Sequence, residues 1–229
     1  MINAIVTDIE GTTSSLSFVK EVLFPYARKS LPAFIEMYFG DRQVSEQIEA
    51  VRAIMGRPDA SLEQVVSQLI DWIDRDQKVT PLKTLQGLIW EAGYHNGDFH
   101  GHVYDDAVEA LRRWREAGVS LYVYSSGSVY AQKLLFAHTE HGDLTPLFSG
   151  YFDTHVGAKQ EKESYTEIAL QIGLNPGEIL FLSDVPAELD AAALAGFRVV
   201  QLARPGEAGP AGAHHIAESF AQIDLAAFC

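Results

Sequence analysis

Residues 2–13 read INAIVTDIEGTT, an apolar, β-branched run that ends in two acidic residues and a glycine-containing turn. The run Ile2–Val6 predicts a short buried strand, and the polar residues from Thr7 onward predict the loop that ends it. Asp8 and Glu10 therefore lie at the carboxyl end of this strand. In open α/β sheets this end of the strands is where ligands bind.

A helical block follows the first strand. Residues 18–93 show helical spacing and no strand signal. Apolar residues recur every three or four positions in 44–55, and Ser61 begins another such pattern with a capping box. Pro25 and Pro32 are predicted to break or kink the first helical stretch, because proline cannot donate a backbone hydrogen bond.

From about Tyr104 onward, helices alternate with apolar strands. The predicted strands are Val119–Tyr124, Tyr151–Thr154, Ile179–Leu182 and Phe197–Leu202, and Pro205–Gly212 is a predicted loop. Fully apolar strands alternating with helices indicate a parallel sheet covered on both faces. The sequence thus predicts an α/β fold, in which a doubly wound parallel sheet is formed by 1–16 and 103–229. An all-helical cap domain is predicted to be inserted at 17–102.

Length, charge and cysteine content limit the possible functions. At roughly 150 residues per domain, the 229 residues suggest one or two domains. The formal charge of −14 disfavours nucleic acid and membrane surfaces as partners, although a local site can still bind a small phosphorylated ligand. The single cysteine, Cys229, excludes an intrachain disulfide. With neither a secretory signal nor a membrane-spanning pattern in the sequence, we expect a cytoplasmic protein. We also expect it to be a monomer.

Polar side chains follow three of the predicted strands. Asp8 and Glu10 follow the first strand, Ser125-Ser126 follows the second, and Asp184 follows the strand Ile179–Leu182. Two carboxylates at neighbouring strand ends repel each other unless a hard cation lies between them. Mg²⁺ suits this arrangement because it prefers a few carboxylate or carbonyl oxygens together with waters and a phosphate. The serine hydroxyls are candidates to hold the other phosphate oxygens.

Two lysines are candidates for the positive charge of such a site. Lys159 and Lys162 both follow the strand Tyr151–Thr154. A lysine there would neutralise phosphate charge in the transition state. Their spacing alone does not distinguish between them.

The segment Asp8–Thr13 resembles the first motif, D-x-D-G-T, of the haloacid dehalogenase superfamily of phosphatases, with Glu10 in place of the second aspartate. In the same order along the chain, further segments resemble the enolase-phosphatase family of the methionine salvage pathway. These segments are Phe18–Lys20, Leu23–Ala27, Leu85–Trp90, Tyr124–Ser128, Phe152–Lys159, Ser164-Tyr165 and Phe181–Asp184. The resemblance extends to about Val200, includes the helical block and implies a haloacid dehalogenase-like core. The pattern G-x-K within it favours Lys159 over Lys162.

The resemblance implies a two-step reaction at one site, with one Mg²⁺ per chain as cofactor. The substrate would be 2,3-diketo-5-methylthiopentyl-1-phosphate, a small phosphorylated diketone. The enzyme would enolise it and then hydrolyse the phosphate ester, giving the acireductone 1,2-dihydroxy-3-keto-5-methylthiopentene. The cap would close over the site and exclude water.

The resemblance also implies a role for individual residues. Asp8 would bind the metal and accept the phosphoryl group, while Glu10 would give its backbone carbonyl to the metal and serve as an acid and base. The other implied roles are metal ligand for Asp184, phosphate binding for Ser125 and Ser126, and substrate binding for Lys159. Many phosphatases of the superfamily have an aspartate near Glu188, but we leave this glutamate outside the predicted metal set.

Other functions remain open at this point. A general Mg-dependent phosphatase of the same superfamily, without enolase activity, is disfavoured by Glu10 and by the helical block. A dehalogenase is disfavoured because acidic residues at positions 10 and 184 point to a cation. A receiver-like phosphorylation module also has a doubly wound sheet with an aspartate pocket, but the long insertion does not fit that compact design.

Overall fold

The computed structural model describes residues 1–207, 209 and 212–228. The chain divides into two compact units, of which the first comprises 1–18 and 100–229 and the second comprises Val19–Phe99. Cys229 and residues 208, 210 and 211 of the predicted loop Pro205–Gly212 lie outside the described residues. In the part of the chain that is described, no helix is both long enough and apolar enough to cross a membrane.

The first unit is built on a six-stranded sheet. Its strands are β1 (Ala4–Thr7), β2 (Ser120–Tyr124), β3 (Gly150–Phe152), β4 (Ile179–Ser183), β5 (Arg198–Leu202) and β6 (Ile216–Ala217). The spatial order is β3-β2-β1-β4-β5-β6, and neighbouring strands pair in parallel. The loops that follow the strands therefore leave the same edge of the sheet, and the predicted parallel α/β architecture is confirmed.

The α-helices flank this sheet or build the second unit. In chain order they are α1 (Phe24–Tyr38), α2 (Arg42–Met55), α3 (Leu62–Asp74), α4 (Thr80–Asn96), α5 (Asp105–Glu116), α6 (Val129–Ala137), α7 (Lys162–Ile172) and α8 (Pro186–Leu194). In the first unit, β1 and β4 are buried along their whole length, as strands covered on both faces must be. Their side chains are apolar except for Thr7 and Ser183, which end the two strands.

Helices α1 to α4 form the second unit. Within residues 19–99, all of which are described, every regular element is helical. The apolar faces of these helices enclose a separate core that includes Leu31, Val51, Leu69 and Leu85. The capping box predicted at Ser61 is present: its Oγ accepts the N–H of Gln64 at 3.3 Å, and the Gln64 side chain accepts the N–H of Ser61 at 3.1 Å.

The structure differs from the sequence prediction at the first helical stretch. A π-helical segment, Phe18–Leu23, precedes α1, and Pro25 lies in the first turn of α1, where a missing N–H has no consequence. The predicted break at Pro32 does not occur, because α1 continues through it. Proline has no N–H, so Pro32 cannot donate the usual helical hydrogen bond to the carbonyl of Arg28. Both residues are exposed, so water can donate to that carbonyl instead.

The burial of α8 yields a stability prediction with an internal control. Leu189 is fully buried, whereas Leu194 in the same helix is 72% exposed. We expect Leu189→Ala to lower the free energy of unfolding by about 2–5 kcal/mol, because it leaves a cavity in the core. Leu194→Ala should change that free energy by less than about 0.5 kcal/mol. Urea denaturation measures both, and equal losses would contradict the burial of Leu189.

Candidate active site

The loop after β1 holds Asp8 at the carboxyl edge of the sheet. Asp8 is 5% exposed, and its N–H donates to the carbonyl of Leu182 in β4 at 2.9 Å. One carboxylate oxygen, Oδ1, accepts the N–H of Ile9 at 2.8 Å. The hydroxyl of Thr13 closes the loop by donating to the carbonyl of Asp8 at 3.1 Å. Asp8 is therefore buried and fixed in orientation by its own loop.

Lys159 connects Asp8 to a second buried carboxylate. Its Nζ lies 2.7 Å from Asp8 Oδ1 and 2.6 Å from Glu188 Oε2, and the lysine side chain is 9% exposed. Burial opposes the charge of the ammonium, but the two carboxylates outweigh burial and raise the pKa of Lys159 above its ordinary value. The lysine is therefore charged at neutral pH. Lys162, in contrast, is exposed at the start of α7.

Three hydroxyl groups hold the loop that carries Lys159. They donate to the three consecutive backbone carbonyls of residues 157, 158 and 159. The donors are Tyr124 at 3.1 Å, Ser164 at 2.7 Å and Tyr165 at 2.6 Å, respectively. Gly157 has a φ of +130°, and a Cβ there would collide with the Ser164 hydroxyl. These contacts direct the lysine side chain toward the edge of the sheet.

Asp184 follows β4 and packs against the loop after β1. A Cβ built on Gly11, which has a φ of +70°, would lie only 2.5 Å from Asp184 Oδ2. The other oxygen, Oδ1, is buried and has no hydrogen-bond partner among the described residues. Burial and the negative charge of Asp8 raise the pKa of Asp184 to about 6. The positive charge of Lys159 opposes this rise but does not cancel it.

Glu188 adds a third carboxylate that we left outside the predicted metal set. Its Oε2 accepts the Ser183 hydroxyl at 2.9 Å in addition to its contact with Lys159. Burial and the charge of Asp8 raise its pKa to about 7, against the opposing effect of the lysine. The sequence signal was the spacing of four from Asp184, which places Glu188 in the first turn of α8.

The charges of this cluster fit a bound divalent cation. Fully ionised, Asp8, Asp184 and Glu188 carry three negative charges against the single positive charge of Lys159. No group of three or more His, Cys, Asp or Glu in the described residues could hold a metal by itself. Mg²⁺ needs only one or two carboxylates, and it keeps several waters. The buried Oδ1 of Asp184 without a partner is the kind of atom that such an ion binds.

The two predicted phosphate-binding serines lie on the turn between β2 and α6. Ser125 is buried; its N–H donates to the carbonyl of Phe152 at 3.2 Å, and its Oγ accepts the N–H of Gly127 at 3.1 Å. Ser126 is exposed. The turn leaves the sheet at the same edge as the loop of Asp8, because β1 and β2 are parallel neighbours.

Glu10 is half-buried and lies on the loop of Asp8, where it forms an isolated bridge with Ser14. Its charge contributes to the raised pKa of Asp184, after the larger effects of burial and of Asp8. The structure thus brings Asp8, Lys159 and Asp184 together and places Glu10 at the same edge of the sheet.

Comparisons with known proteins identify the relatives of this chain. A family model described as haloacid dehalogenase-like hydrolase matches residues 2–196. The Enolase-phosphatase E1 of Methylococcus capsulatus is 59% identical over 215 residues, which is 94% of this chain and 94% of that protein. The Enolase-phosphatase E1 of Pseudomonas fluorescens is 56% identical over 227 residues and 99% of each chain.

Solved structures share the fold. The UTR4 protein of Saccharomyces cerevisiae superposes with a TM-score of 0.85 at 35% identity, covering 97% of this chain and 100% of its own. CbbY from Rhodobacter sphaeroides, in complex with phosphate, gives a TM-score of 0.64 at 18% identity, covering 100% of this chain and 99% of its own. At that identity the likeness to CbbY concerns the fold alone.

The sequence resemblance to the enolase-phosphatases is thereby confirmed over nearly the whole chain. The general family model matches residues 2–196, and the full-length relatives narrow the family to the enolase-phosphatases. The chain belongs to the enolase-phosphatase family of haloacid dehalogenase-like hydrolases.

Proposed function

We propose that this chain is a bifunctional enolase-phosphatase of methionine salvage. It enolises 2,3-diketo-5-methylthiopentyl-1-phosphate and then hydrolyses the phosphate ester to release the acireductone. Relatives that bear the name Enolase-phosphatase E1, at more than half identity over nearly the whole chain, support the two activities. The observation that carries the mechanism is the buried contact of Lys159 with Asp8, beside Asp184.

Asp8 is the proposed phosphoryl acceptor. Its carboxylate attacks phosphorus, the bond between phosphorus and the ester oxygen breaks, and an aspartyl phosphate forms. Water then attacks this intermediate and releases inorganic phosphate and free Asp8. The N–H of Ile9 and the ammonium of Lys159 both contact Oδ1, so the orientation of the carboxylate is set before the substrate binds. The ammonium also offsets the negative charge of the incoming phosphate.

Asp8, Asp184 and the backbone carbonyl of Glu10 would hold one Mg²⁺. The chemistry of these oxygen donors and the unpartnered Oδ1 of Asp184 support this assignment. When bound, the ion would stabilise the negative charge that develops on the phosphoryl oxygens and on the enolate.

Glu10 is the proposed acid and base of the enolisation. Glutamate is one methylene longer than the aspartate usual at this position, so its carboxyl group can reach toward the carbon that carries the acidic proton. That proton lies α to a carbonyl, and Glu10 would remove it. Once protonated, the same carboxyl group would donate to the leaving oxygen when the ester bond breaks.

The substrate contacts are assigned to three further elements. Ser125 and Ser126 would hold phosphate oxygens at the turn before α6, and Lys159 would bind the phosphate by charge. For the helical unit Val19–Phe99 we propose the role of the cap domain, which recognises the methylthio tail and excludes water.

The decisive test follows two signals from the synthetic diketo phosphate. Enol absorbance and free phosphate are recorded separately with Mg²⁺ and then with an excess of chelator. We expect the enol to appear before the phosphate, and both signals to be lost on chelation. Release of phosphate from general esters without action on the diketone would instead identify an ordinary phosphatase.

The variant Glu10→Gln tests the assignment of the acid and base. It keeps the backbone carbonyl and the size of the side chain but cannot accept the substrate proton. We expect the rate of enolisation to fall by about 10²–10⁴-fold. Glu116→Gln, at an exposed position at the end of α5, is the control and should be unchanged. Full enolisation by Glu10→Gln would rule out this role.

The close approach of Gly11 to Asp184 yields a metal-binding prediction. In Gly11→Ala the new Cβ would displace the Asp184 carboxylate, so we expect at least tenfold weaker Mg²⁺ binding by titration calorimetry. This loss corresponds to about 1.4 kcal/mol. Gly118→Ala is the matched control, because Gly118 also has a positive φ, +86°, but has nothing within 4 Å. Both variants should lose about 1–2 kcal/mol of stability; equal Mg²⁺ affinities would contradict the prediction.

A further inference from the structure

A tight turn after β5 contacts the loop that follows β1 and carries Asp8, here called the catalytic loop. The turn is Arg204–Glu207, with the sequence Arg-Pro-Gly-Glu, and the N–H of Glu207 donates to the carbonyl of Arg204 at 3.0 Å. Gly206 has a φ of +84°, which the turn requires. The match to haloacid dehalogenase-like hydrolases ends at residue 196, so this turn is no part of it.

Arg204 binds a backbone carbonyl of the catalytic loop. The residue is 4% exposed, and its Nε and Nη2 donate to the carbonyl of Thr12 at 3.0 and 2.8 Å. Its Nη1 lies 2.8 Å from each carboxylate oxygen of Asp106, at the start of α5. The planar guanidinium thus contacts two elements at once, which a lysine ammonium cannot do with the same geometry.

Two aromatic rings hold the guanidinium in place. Its central carbon lies 4.1 Å from the ring centre of Tyr104 and 5.2 Å from that of Phe220. Burying a charged group is unfavourable unless it is paired and hydrogen-bonded, and here the Nε, Nη1 and Nη2 groups of Arg204 each find an acceptor. A rigid, buried arginine aimed at one loop carbonyl is suited to fixing the position of that loop.

Glu207 binds the next residues of the same loop. Its carboxylate accepts the hydroxyl of Ser15 and, at 3.0 Å, the N–H of Leu16. The turn therefore contacts the chain at both ends of the segment Thr12–Leu16. This segment directly follows Gly11, which packs against the Asp184 carboxylate.

We propose that Arg204 and Glu207 are positioning residues for the reaction. By holding Thr12–Leu16, they fix Asp8 and Glu10 relative to Asp184. The link to Asp8 runs through Thr13, the residue after Thr12, whose hydroxyl donates to the Asp8 carbonyl. The inference rests on the proposed role of Asp8 as phosphoryl acceptor.

The first test is Arg204→Lys, which keeps the positive charge beside Asp106 but loses the fork that binds Thr12. Because small misplacements of reacting groups are costly, we expect kcat for phosphate release to fall by about 10²-fold, with KM within about threefold. Mg²⁺ affinity, measured by titration calorimetry, should also fall. The control is Arg28→Lys, which changes an exposed arginine that pairs with Asp74 at 2.7 Å. A folded Arg204→Lys variant with unchanged kcat would overturn the proposal.

The second test uses Glu207, which is partly exposed. Glu207→Ala should keep the fold, as judged by circular dichroism and urea denaturation, and lose about tenfold in kcat. Glu207→Gln keeps an acceptor oxygen and should restore part of this loss. If Arg204→Lys does not fold, Glu207→Ala decides, and a kcat equal to that of the unmodified chain overturns the proposal.

The variant Asp8→Asn separates this inference from the proposed function. Retained phosphate release by Asp8→Asn would reject Asp8 as the phosphoryl acceptor. An inactive Asp8→Asn together with unchanged folded Arg204 and Glu207 variants would reject the positioning role alone.

Discussion

One ammonium among three carboxylates is the constraint around which this molecule is organised. Lys159 contacts Asp8 and Glu188, while Asp184 has a buried oxygen without a partner among the described residues. Such an excess of buried negative charge is unfavourable, and the raised pKa values of Asp184 and Glu188 report that cost. The side chains of this site therefore do not neutralise one another, and a bound cation would offset the excess negative charge.

The rest of the first unit holds these charges in place. Parallel strands bring the loops after β1, β2 and β4 to one edge, although the residues are far apart in sequence. Hydrogen bonds from neighbouring side chains to backbone groups then hold these loops in position. Three hydroxyls bind consecutive carbonyls before α7, and the turn Arg204–Glu207 binds the chain after Gly11. These hydrogen bonds set the positions of the site residues before a substrate binds, which is what preorganisation means.

Much of this arrangement could be predicted, because strand ends in a parallel sheet converge whatever their distance along the chain. The apolar runs predicted the strands, and the polar residues that follow two of these runs predicted Asp8 and Asp184 as site residues. Spacing alone did not distinguish Lys159 from Lys162, and the G-x-K pattern of the family resemblance favoured Lys159. The contact of Lys159 with Asp8 depends on loop geometry that periodicity does not contain. Glu188 stays outside the predicted metal set because many phosphatases of the superfamily have an aspartate near its position, and the sequence does not show its contact with Lys159. The contacts of Arg204 with the carbonyl of Thr12 could not be predicted, because every residue has a backbone carbonyl and the sequence does not show which one accepts a hydrogen bond.

The central position of β1 has a consequence for how the protein is made. Ala4 pairs with Ser120 on one side and with Ile179 on the other, so both neighbours of β1 lie far behind it in the chain. During synthesis at about 5–20 residues per second, β1 leaves the ribosome before both of its neighbours and stays unpaired until they emerge. The helical unit Val19–Phe99 is complete well before either neighbour appears. The nascent chain thus exposes an apolar strand next to a unit that is ready to fold, which is the kind of segment that chaperones bind.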